Sequence, residues 1–105
     1  MGEVKTEPVT ALNIQGKEAF FEQNVAGSFR VNDPVDDGRQ QFWFVCPCGC
    51  GQNAMIAVGN GYKPERKGRD TWNWNGSFEK PTLTPSVHDK GHWHGWLTDG
   101  VWRSC

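Results

Sequence analysis

The hydrophobic pattern changes character several times along the chain, and strand-like runs dominate it. Residues 9–14, VTALNI, form the first such run, ending near Ile14. In residues 16–33 the apolar positions Ala19, Phe20, Phe21, Val25, Phe29 and Val31 hold to neither the helical nor the strand repeat throughout. A short helical stretch from Lys17 to Asn24 followed by a strand from Ser28 to Val31 reconciles them. Asn32 to Gly38 is a loop: Asp and Asn side chains bond to nearby backbone, Pro34 fixes φ, and Gly38 accepts positive φ. Phe42 to Val45 and Ala54 to Val58 are the next strands, and consecutive apolar residues in the first predict burial on both faces.

Beyond them, residues 60–69 are polar, turn-rich and the largest positive run in the chain; a solvated loop and a docking patch for an acidic partner both fit. Thr71 to Asn75 alternates, which puts Trp72 and Trp74 on one face of a strand. Pro81 and Pro85 interrupt residues 79–87, predicting an extended edge or loop. The tail reads as a hairpin about Asp99 and Gly100, a favoured two-residue turn. That register sets Thr98 opposite Val101, Leu97 opposite Trp102, Trp96 opposite Arg103 and His94 opposite Cys105. The predicted fold is mostly β with room for a small helical part: a compact, twisted antiparallel sheet with hairpins. No internal repeat or heptad occurs.

Length and composition narrow this picture. The 105 residues fit one domain, 1–105, with residues 1–10 as a loose arm or edge strand. Hydrophobic residues are only 36% of the chain, so burial depends on six Trp and six Phe, and such a core gains from a metal staple. A formal charge of -1 disfavours nucleic acid as a partner and leaves another protein as the expected one. No stretch approaches the about 20 apolar residues needed to span a bilayer. The start of the sequence has no apolar signal core, which predicts the cytoplasm, where cysteines meet a metal more readily than each other.

Cys46, Cys48 and Cys50 alternate with Pro47, Gly49 and Gly51. Alternate residues of an extended segment share a face, and the glycines let the chain turn until the sulfurs converge on one ion. Thiolate with imidazole suits zinc, with iron as the competing metal. The hairpin supplies further ligands, because opposed residues have Cβ atoms about 5 Å apart on one side of the sheet. His94 and Cys105 are such a pair, and the same alternation sets His92 beside His94. The candidate ligands are therefore Cys48, Cys50, His92, His94 and Cys105, with Cys46 as a further thiol, and the fourth position stays open among Cys46, His92 and Cys105.

The ordered set CPCGCG, W-x-W-N-G, PTLTPSV and H-x-W-L-T-D-G, running from about Phe42 to Gly100, resembles a family of small phage, prophage and bacterial proteins. Its members often carry the label ammonia monooxygenase, a reaction for which this chain offers no multi-copper arrangement. The resemblance implies zinc held by the CGC cysteines with a later Cys and His, matched here by Cys48, Cys50 and His94. The later Cys just before that His is absent, residues 89–93 reading DKGHW. One branch belongs to bacterial operons similar to ubiquitin conjugation systems, where a member is a peptidase for the ubiquitin-like protein. That branch implies Ser86 as nucleophile, with His88 or His94 as base. Read from residues alone, Ser86 is a turn residue after Pro85 and His88 a polar surface residue. Three functions thus stand side by side: a peptidase, a zinc-stapled module displaying Trp72, Trp74, Trp93, Trp96 and Trp102 to a partner protein, and a purely structural part of a virion or complex. Whether the chain is an enzyme is left open.

Overall fold

The computed structural model describes residues 5–105 and is mostly β, with one short helix. Residues 1–4 of the predicted arm lie outside the described residues. In chain order the elements are β1 (Val9–Thr10), α1 (Lys17–Gln23), β2 (Phe29–Val31), β3 (Gln40–Val45), β4 (Asn53–Asn60), β5 (Trp72–Trp74), β6 (Leu83–Thr84), β7 (Val87–Asp89), β8 (Trp93–Thr98) and β9 (Val101–Ser104).

Two sheets form instead of the one expected: β1-β9-β8-β7 and β2-β3-β4-β5-β6. All pairings are antiparallel except β4 with β5, where Val58 aligns with Trp72 and Asn60 with Trp74. The polar loop 61–71 makes that parallel pair possible, because it returns the chain to the start of the neighbouring strand instead of folding it straight back. The first run is shorter than expected: only Val9 and Thr10 pair with β9, and Asn13 makes a single bridge to Phe29.

Inward-facing side chains of both sheets make the core. Phe29 stacks on Phe42 with centroids 5.0 Å apart, and Phe44 meets Trp102 at 5.0 Å. Trp102 also takes Trp93 edge-on at 5.6 Å. The three indoles in this core find polar partners: Trp102 Nε1 donates to the Gly27 carbonyl at 2.8 Å, Trp93 Nε1 to Thr6 Oγ1 at 3.0 Å and Trp74 Nε1 to the Ser77 carbonyl at 3.2 Å. On the outer face of β3, Trp43 is partly covered by Phe21 of α1, with rings 5.7 Å apart. That contact is why β3 reads as a nearly unbroken apolar run.

Two local features position the site. The Asp99-Gly100 hairpin has φ of 48° and 78° at its turn residues, as a type I′ turn requires, and its register is the expected one. The proline-broken segment is extended and lies at sheet edges, as expected, but in two pieces. It divides into β6, an edge of the five-stranded sheet, and β7, an edge of the four-stranded sheet, with Pro85 and Ser86 between them. The Thr84-Pro85 peptide bond is cis. Among the described residues no helix is long and apolar enough to cross a membrane.

Candidate functional site: a serine–histidine pair beside a cysteine–histidine cluster

The cysteines lie in the turn from β3 to β4. Hydrogen bonds from the Cys46 amide to the Gln52 carbonyl (2.8 Å) and from the Gly49 amide to the Cys46 carbonyl (3.2 Å) close the turn. Gly49 and Gly51, with φ of 87° and 84°, supply the left-handed backbone it needs. Facing it is the turn from β7 to β8, fixed by the His92 amide donating to the Asp89 carbonyl at 2.8 Å. Ligand atoms of Cys46, Cys48, Cys50 and His92 all lie within 4.8 Å of one another. Tetrahedral zinc with Zn–S bonds of about 2.3 Å places its sulfurs about 3.8 Å apart, so small shifts, apart for Cys46 and Cys48 and together for the wider pairs, bring this donor set around one ion. The residues present therefore fit a metal ion, and three sulfurs with one imidazole are consistent with zinc.

The two inner thiols are pushed in opposite directions. Burial pushes the Cys46 thiol far up, assisted by a hydrogen bond with the Asp89 carboxylate. Burial also raises Cys48, but hydrogen bonds with Cys46, Cys50 and His92 outweigh it and bring that thiol below its ordinary value. The Cys46 and Cys48 sulfurs are 3.1 Å apart. Deprotonated thiolates at such separations need a cation between them, which a bound metal supplies.

The ligand set differs from the expected one. Cys46 joins Cys48, Cys50 and His92, whereas His94 and Cys105 are not in the group. The strand alternation that placed His92 beside His94 stops at Trp93, where β8 begins, and Gly91, with φ of 80°, turns His92 toward the cysteines. Cys105 does sit opposite His94, its amide donating to the His94 carbonyl at 3.0 Å, but it is exposed and outside the cluster.

His94 instead faces Ser86. Its Nε2 lies 3.1 Å from Ser86 Oγ, and its ring lies against that of His88, centroids 4.6 Å apart. The register explains the meeting, since His88 and His94 are directly opposed across β7 and β8. Ser86 immediately precedes β7, and its carbonyl accepts a hydrogen bond from Trp72 Nε1 at 3.1 Å, which ties the serine backbone to β5. Beside it opens a groove of about 520 Å³ lined by Lys63, Asp70, Thr71, Trp72, Pro85, Ser86, His88 and Lys90. Among the described residues neither acidic candidate is hydrogen-bonded to Ser86 or His94: Asp89 is directed to Cys46, and Asp99 sits in the hairpin turn, its amide on Thr82 Oγ1.

A serine hydroxyl within hydrogen-bond reach of an imidazole, at the rim of an open groove, is the constellation used by serine hydrolases. Here it stands on a mostly β scaffold beside a cluster able to hold a metal. Residues 17–105 match the family model described as bacterial ubiquitination-like system serine protease (BubE). The chain belongs to that family. No curated protein and no solved structure matches it.

Proposed function

We propose that the protein is a serine peptidase acting on a ubiquitin-like protein of a bacterial conjugation system, with Ser86 as nucleophile and His94 as general base. The observation that carries this reading is the 3.1 Å contact between Ser86 Oγ and His94 Nε2. In the reaction, Ser86 Oγ attacks the scissile carbonyl as His94 Nε2 takes its proton. His94 then returns that proton to the leaving amine, giving an acyl-enzyme, and activates the water that releases the acid and restores Ser86. His88 packs on the His94 ring and limits rotations that would carry Nε2 away from the serine. The family description and the groove beside Ser86 support the assignment.

Zinc, in this reading, is structural. Cys46, Cys48, Cys50 and His92 offer four protein ligands and so leave no position for a reacting water. When bound, it supplies a cross-link between the β3–β4 turn and the β7–β8 turn. His92 thereby anchors the two strands that carry His88 and His94. A site of thiolate ligands suits a reducing compartment such as the cytoplasm, where we place the protein.

Display of tryptophans is the weaker reading, because Trp74, Trp93 and Trp102 are buried and only Trp96 of the five named for it is exposed, at 48%. The test of the peptidase reading is labelling by a fluorophosphonate probe followed by mapping of the modified peptide. Ser86 is the expected adduct site, and the label should vanish in Ser86→Ala and His94→Ala. Labelling that persists in Ser86→Ala, or none in the wild-type protein, removes the assignment.

A further inference from the structure

The positive run at residues 60–69 is not used by the chemistry above, yet it borders the groove that leads to Ser86. Lys63 from the loop 61–71 and Lys90 from the β7–β8 turn both line that groove, against one carboxylate, Asp70. Among the described residues no salt bridge involves Lys63 or Lys90. The same loop lines a second cavity, of about 250 Å³, with Arg66 and Arg69. Arg39, already paired with Asp37, also lines it, and Val35, Met55 and Ala57 give apolar contacts. Residues 60–69 thus carry four cations, Lys63, Arg66, Lys67 and Arg69, against one carboxylate, Glu65, in a chain whose formal charge is -1.

We propose that the loop 61–71 is the substrate-recognition element, and that the groove selects an acidic, extended peptide segment next to the scissile bond through Lys63 and Lys90. The proposal rests on the reading of Ser86 as nucleophile, since that fixes where the scissile carbonyl lies. An extended chain entering the groove passes Ser86 and the half-buried Trp72 ring, with a cationic side chain from each bordering segment. Its carboxylates replace counterions on the lysines, and a longer acidic stretch continues around the loop to Arg66 and Arg69. Charge of this kind steers encounter and sets register more than it adds raw affinity.

The test is fluorescence anisotropy on the full chain carrying Ser86→Ala, with a fluorescein-labelled peptide rich in Asp and Glu and its counterpart with Asn and Gln. The acidic peptide should bind about tenfold more tightly, and raised salt should erase the difference, as for several solvent-exposed charge pairs acting together. Lys63→Glu should lower affinity for the acidic peptide by about fivefold or more and leave the neutral one unchanged; Lys63→Gln should fall between. Lys17→Glu, the same charge change on α1 beside a different cavity, is the control and should have little effect. Equal binding of the two peptides, or equal losses from Lys17→Glu and Lys63→Glu, would overturn the proposal. Binding is read without cleavage, so a failure of the peptidase reading shows separately, as acidic peptide that the unsubstituted protein binds and leaves intact.

Discussion

His92 and His94 are two residues apart, yet they serve different sites, and the contrast between those sites explains much of the molecule. His92 occupies a turn and meets three sulfurs drawn from a second turn, in a cluster whose innermost member, Cys46, is fully buried. His94 occupies a strand, is held by register opposite His88, and meets Ser86 at the rim of an open groove. The cluster is a knot of four donors, able to hold one ion, that brings two chain reversals together. The pair keeps one side open to solvent, as a group that must receive a substrate requires. Both depend on the β7–β8 strand pair, so an ion held by the knot would steady the frame on which the pair is mounted.

The largest expected effect separates chemistry from architecture. Ser86→Ala should reduce peptide hydrolysis by about 1000-fold or more while metal content and thermal midpoint stay near those of the unsubstituted protein. Comparable loss of metal in that variant would mean that the serine belongs to the knot.

Next comes the knot itself. Cys46→Ala or His92→Ala should abolish retention of metal through gel filtration and lower the thermal midpoint markedly, because metal binding is part of the folding free energy. Chelation of the unsubstituted protein should do the same. Cys105→Ala, by contrast, should leave metal content unchanged, and metal analysis of the two cysteine variants side by side checks this.

Gly95, next to His94 in β8 and opposed to Val87 and Ser104, should give an intermediate effect. A Cβ there would stand 2.1 Å from the Arg103 carbonyl oxygen and 2.5 Å from the Trp93 ring. Gly95→Ala should therefore cost about 1–3 kcal/mol of stability in a denaturant titration, by forcing β8 and β9 apart. Activity should fall with it if His94 depends on that pairing.

The smallest effect lies far from both sites. The Arg39 amide, and then its guanidinium, hold the Asp37 carboxyl below the ordinary carboxylate range. A group depressed in the folded state contributes stability above its unfolded pKa and loses it as pH falls through the folded value. Asp37→Asn should accordingly flatten the acid limb of the stability curve only slightly, since the group is fully solvent-exposed, and leave neutral-pH stability almost unchanged.

How far the sequence foretold these features depends on whether local rules or distant pairing set them. The tail hairpin was legible because Asp99-Gly100 dictates both turn type and register. The short helix was legible too, and Asn24, with φ of 49°, caps it in the left-handed conformation. The parallel β4–β5 pair was not, because loop length permits such a return without requiring it. At the cluster, the alternating cysteines and glycines marked a turn rich in thiols, but not which sulfurs face inward. Burial of Cys46 follows from its place at the end of β3, beneath the sheet interface. His92 was assigned to the face of His94 by carrying strand alternation one residue too far. The turn signal that corrects this, Asp89-Lys90-Gly91, stands immediately before it in the sequence.

The most direct measurement is the metal content of purified His94→Ala beside that of His92→Ala, each paired with an assay of fluorophosphonate labelling at Ser86. The division of labour between the two histidines predicts that His94→Ala keeps about one metal per chain and loses labelling, whereas His92→Ala loses the metal. A His94→Ala protein that purifies without metal, or one that keeps its metal and labels as the unsubstituted protein does, would contradict it.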